Sequence, residues 1–77
     1  MVLNIDIRTP KDVERLNAEA CRVPEVLWVH TDDGRIMVDA RSLLGLYACV
    51  GMPAKLVAED DADPNVLFAV ARRAGVY

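Results

Sequence analysis

The sequence has few of the side chains with which proteins do chemistry. It holds one histidine, His30, and two cysteines, Cys21 and Cys49. The cysteines are far apart and form no Cys-x-x-Cys pair. With a single histidine they make a poor ligand set, so no metal site and no cofactor is expected. A reducing compartment, the cytoplasm, and two buried small hydrophobes are the expectation for them. Positive charge is scarce too: nine Lys and Arg stand against twelve Asp and Glu, for a net charge of −3. Nucleic-acid binding calls for a basic face, and anionic membranes call for a basic cluster, so neither partner is expected. No apolar run approaches the roughly 20 residues that span a bilayer. Internal repeats, low-complexity tracts and linkers are missing as well, which leaves one domain over residues 1–77.

What is present is clear alternation. Leu3, Ile5 and Ile7 alternate with polar residues, which marks a half-buried strand. Thr9-Pro10-Lys11-Asp12 then starts a helix: a capping threonine, a proline in the first turn and an acid at the positive end of the dipole. Val13, Leu16 and Ala20 form its apolar stripe, and Pro24 lies beyond its end. Val26 to Thr31 is β-branched and aromatic. Asp32-Asp33-Gly34 turns it into a second run in which Ile36, Val38 and Ala40 alternate, a β-hairpin. Ser42 caps a second helix with Leu43, Leu46 and Val50 as its core face, and Gly51 and Pro53 close it. Ala54 to Glu59 gives a fourth strand, with either Leu56 and Ala58 or Lys55 and Val57 facing in; the Ala54, Leu56 and Ala58 choice is the better one, because it leaves Lys55 outside. Asp63-Pro64 starts a third helix on Val66, Leu67, Val70 and Ala74. Arg72 and Arg73 lie in its last turn, and Gly75 ends it.

The order is β-α-β-β-α-β-α. Elements with one apolar face each pack as two layers, so the expectation is an α+β open-faced sandwich: a four-stranded antiparallel sheet with three helices on one face. If Leu27 and Val29 face the helices, Trp28 lies on the open face, as a shield for its neighbours or as a partner-contact anchor. His30 shares that face. No nucleophile–base constellation can be assembled around it, and no catalytic residue is assigned. The acidic run Glu59 to Asp63 lacks calcium-loop spacing and reads as a solvated loop whose last members favour the third helix. Ser42 reads as a helix cap. A phosphate added there would meet free backbone N–H groups, with Arg41 adjacent. Leu44 and Tyr47, at i and i+3, fall off the core stripe, either as an exposed contact patch or as the edge of a wide core face.

The segment Asp39-Ala40-Arg41-Ser42-Leu43-Leu44-Gly45-Leu46 closely resembles the Ala-Lys-Ser-Ile-Met-Gly signature of the histidine-containing phosphocarrier (HPr) family of the sugar phosphotransferase system. In that family the serine caps the second helix and is a regulatory phosphorylation site. Gly34 resembles the glycine of the family's strand 2–strand 3 turn. Ala54 to Asp60 looks like its fourth strand and acidic exit, and the element order is also the family's. The departure lies at the first helix. The family's His-Ala-Arg-Pro-Ala is matched here by Thr9-Pro10-Lys11-Asp12-Val13, with no histidine, and His30 belongs to a different element. A phosphohistidine relay needs an imidazole nucleophile, so this chain is not expected to be an enzyme.

The resemblance therefore implies a regulatory relative that acts through protein contact. Ser42 is the candidate phosphoacceptor, Arg41 the phosphate-supporting residue, and Leu44 and Tyr47 the candidate contact patch. The implied partners are an HPr-type kinase/phosphorylase or a carbon-control regulator, with the chain itself a monomer or weak homodimer. Two other readings stay open. One is a small-molecule-sensing domain of ferredoxin-like order. The other is a phosphocarrier with an atypical phosphoacceptor, which would have to be His30.

Overall fold

Four strands and three helices follow in the expected order in the computed structural model, which describes residues 1–77: β1 (Val2–Asp6), α1 (Pro10–Cys21), β2 (Leu27–Thr31), β3 (Met37–Asp39), α2 (Leu43–Tyr47), β4 (Pro53–Ala58) and α3 (Pro64–Ala74). The strands form one antiparallel sheet in the order β1-β4-β2-β3. In this order β4 lies between β1 and β2, so α1 crosses over it to join them. Alternation decides the faces. Leu3 and Ile5 of β1, Leu27 and Val29 of β2, and Ala54, Leu56 and Ala58 of β4 are all buried. They meet Val13, Leu16 and Ala20 of α1, Leu46 of α2, and Leu67, Val70, Ala71 and Ala74 of α3 in one hydrophobic cluster. The other sheet face carries no helix. The result is the two-layer α+β sandwich expected of these patterns.

Local chemistry fixes the joints. Thr9 and Asp12 form a reciprocal capping box: the Thr9 hydroxyl accepts from the Asp12 N–H, and the Asp12 carboxylate accepts from the Thr9 N–H. Gly34 takes φ +75° in the β2–β3 turn, where a side chain would be strained. Thr31, the one buried polar residue, is satisfied there. Its hydroxyl donates to Asp33 at 2.7 Å and accepts from the Ile36 N–H at 3.0 Å. Lys55 does stay outside the core, with Nζ 2.7 Å from Asp32.

Two expectations need correction. The core face of α2 is not Leu43, Leu46 and Val50. Leu43 is 39% exposed, Leu46 and Cys49 are buried, and Val50 is half-buried. The cause is length: α2 holds only five residues before the chain enters turns, so a seven-residue helical period has nothing to run along. Of the two cysteines, only Cys49 is a buried small hydrophobe. Cys21 is exposed, and both thiols are free. Ala20 takes the last buried position of α1, and the next residue is rotated about 100° away from it.

Candidate functional site

The junction of β3 and α2 is built by one aspartate and one serine. The Asp39 carboxylate accepts from the Arg41 N–H at 2.8 Å, and the Asp39 carbonyl accepts from the Ser42 N–H at 2.8 Å. That turn presents Ser42 as the N-cap, its Oγ accepting from the Gly45 N–H at 3.3 Å while the residue stays exposed. The serine is thus a working cap with a solvent-facing hydroxyl. Beside it on α2, Leu44 is 83% exposed and Tyr47 37%. At i and i+3 these two share a helix face, and the exposed Leu43 extends the apolar surface, a residue that sequence periodicity had placed inside.

Tyr47 is also tied to α1, its hydroxyl donating to Glu14 at 3.4 Å. Partial desolvation, aided by the neighbouring Glu14 carboxylate, pushes its phenol above the usual range. Arg41 points elsewhere. Its Nη2 lies 3.3–3.4 Å from the carbonyls of Val23, Pro24 and Glu25, so the guanidinium braces the loop between α1 and β2. Its backbone flanks Ser42, but its cationic end is committed to those carbonyls.

At the start of α1 the structure holds an anion of its own. The Asp12 carboxylate accepts from the N–H groups of Arg8 at 3.0 Å and Thr9 at 3.1 Å. The Arg8 N–H above all, with the Thr9 N–H and the Arg15 guanidinium, outweighs desolvation and holds that carboxyl below its ordinary range. His30 sits on the open face of the sheet, with Met37 and Lys55 as cross-strand neighbours. The Lys55 ammonium is engaged by Asp32.

The acidic run divides its labour. Asp63 caps α3, accepting from the Asn65 N–H at 2.9 Å, and Asp60 lies 3.0 Å from the terminal ammonium of Met1. No three acidic, histidine or cysteine side chains converge as a metal's ligands would. Glu59, Asp61 and Asp63 instead wall a cleft of about 530 Å³ whose other side holds Glu25, Val26 and Trp28. Trp28 and the acidic run are separate features in the sequence. The register Leu27↔Ala58 and Trp28↔Val57 brings them together.

No family model, curated protein or solved structure matches the chain. No helix is long and apolar enough to cross a membrane.

Proposed function

We propose that this chain is a non-catalytic, HPr-like interaction module of the cytoplasm, contacting its partner through Leu44 and Tyr47 and regulated by phosphorylation of Ser42. The observation that carries the reading is the pairing of an exposed cap hydroxyl with an uncovered leucine on the same short helix. A leucine 83% exposed contributes nothing to the core, and a modifiable serine at its edge gives a partner-binding surface a charge switch. The resemblance around Ser42 and the shared element order add support. So does the α1 start, where the Asp12 carboxylate already takes backbone donors and would repel a second anion. The partner class is an HPr-type kinase/phosphorylase or a carbon-control regulator.

The deciding experiment is intact mass after incubation with an HPr-type kinase and ATP, beside a Ser42→Ala control. One added phosphate on the parent chain and none on the variant is the expected result. An unchanged parent mass reduces Ser42 to a helix cap and removes the regulatory part of the proposal.

A further inference from the structure

The turn between β2 and β3 holds the only Asp-Gly pair of the chain, Asp33-Gly34. Such a pair can rearrange its own backbone, because glycine has no side chain to keep its amide nitrogen from the preceding carboxyl. The Gly34 nitrogen attacks Asp33 Cγ and a C–N bond forms. The hydroxyl of the carboxyl group leaves as water, taking the amide proton with it. Water then reopens the five-membered imide at either carbonyl. One opening restores aspartate. The other leaves isoaspartate, with the main chain routed through Cγ and the mass unchanged. No oxidant, reductant or co-reactant other than water takes part.

We propose that Asp33 is a latent isomerisation site, held shut in the folded hairpin by the Thr31 hydroxyl and opened when the hairpin loosens. Asp33 Oδ1 accepts from the Thr31 hydroxyl at 2.7 Å and from the Arg35 N–H at 3.0 Å. Oδ2 lies 3.9 Å from the Arg35 guanidinium. Bonds of this kind favour the carboxylate over the acid, and the Thr31 hydroxyl above all holds the carboxyl below its ordinary range. Only the acid has a hydroxyl to lose, so the ionised group resists attack. The nucleophile is held as well, the Gly34 N–H donating to the Thr31 carbonyl at 2.9 Å. Thr31 thus restrains both reacting groups, one through its side chain and one through its main chain. The remaining charges at the turn are Asp32 and Lys55 of β4, which pair with each other at 2.7 Å. Isomerisation would add a methylene to the main chain and shorten the side chain, so that Thr31 and the Arg35 N–H lose their partner. β3 is a three-residue edge strand bonded only to β2, and it has no second strand to hold it when the turn changes. The product carboxyl belongs to the substrate class of repair enzymes that methylate isoaspartate.

The full chain is aged at neutral pH, folded and in guanidinium chloride, beside Thr31→Val, Thr31→Ala and Thr31→Ser. Isoaspartate is read by methyl transfer from S-adenosylmethionine with an isoaspartyl methyltransferase, and peptide mapping places it at Asp33. The folded parent should isomerise at least about tenfold more slowly than the unfolded chain, and a variant without the hydroxyl about tenfold faster than the folded parent, as for the loss of a hydrogen bond to a charged group. Thr31→Ser, which keeps the hydroxyl, should stay near the parent rate. The climb in rate on acidification should begin at a higher pH in Thr31→Val than in Thr31→Ser, a shift that loosening of the turn alone would not produce. Circular dichroism checks that the variants fold, and Thr31→Ala replaces Thr31→Val if the valine variant does not. Equal rates for the folded and unfolded parent, or a hydroxyl-free variant no faster than Thr31→Ser, overturn the proposal.

Discussion

Gly45 lies so close to Val38 that a Cβ built on it would stand 2.9 Å from Val38 Cγ1 and 3.0 Å from Val38 Cβ. The short helix α2 can approach β3 at this distance only because the position has no side chain. Val38 Cβ is fixed by its own strand and cannot swing aside. Gly45→Ala should therefore destabilise the protein by up to about 2 kcal/mol, the difference between an overpacking cost of ~1–3 kcal/mol and a helix-propensity gain of ~1 kcal/mol. Urea unfolding checks the sign, and a more stable variant would show that α2 can slide away from the sheet.

The two thiols should react differently. Cys21 is exposed, whereas Cys49 is buried, and desolvation pushes its thiol up. Iodoacetamide should add one group to the native protein, at Cys21, and a second only in denaturant. Peptide mapping reads the sites, and native labelling of Cys49 would mean that the turn between α2 and β4 opens readily.

Acid should weaken the fold through two carboxylates. Asp12 is held low chiefly by the Arg8 N–H, and Asp33 by the Thr31 hydroxyl and then the Arg35 N–H. A carboxyl depressed in the folded state contributes stability above its unfolded value, about 3.9, and that contribution is lost as pH falls through the lower folded value. The urea midpoint should accordingly drop below about pH 4. Asp12→Asn should be less stable at pH 7 yet lose less on acidification. Parallel acid profiles for variant and parent would remove Asp12 from this account.

Leu44→Gln should leave stability within about 0.5 kcal/mol, as for an ordinary surface change, because the side chain is 83% exposed. Combined with Tyr47→Ser it should abolish capture of the partner proposed above while circular dichroism stays unchanged. Undiminished capture by the double variant would move the contact surface elsewhere.

Much of this molecule is legible in its residues because its signals are local. Thr9-Pro10 and Asp63-Pro64 start helices by capping chemistry that needs no knowledge of the fold. The alternation in Leu3-Ile5 and Ala54-Leu56-Ala58 fixes which strand face is buried. Period reasoning fails at α2, where Leu43 opens a five-residue helix too short for its period to apply. At Cys21 the period holds and it is the expectation of a buried free cysteine that fails, since Ala20 already fills the last inward position of α1. The direction of Arg41 depends on loop carbonyls 16 to 18 residues away, and no spacing rule covers that. The cleft around Trp28 was illegible for a related reason: its walls meet only through β2–β4 pairing, and pairing partners are not written in the sequence of either strand.

The strand order has a consequence in time. The only partner of β1 in the sheet is β4, with Val2 paired to Val57 and Leu3 to Leu56. At translation rates of ~5–20 residues per second, roughly 3–11 s separate the synthesis of the two strands. For that interval the nascent chain carries Leu3 and Ile5 on a strand with no neighbour to bond. A strand made early is thus locked late, and β1 keeps a bare edge until β4 is made.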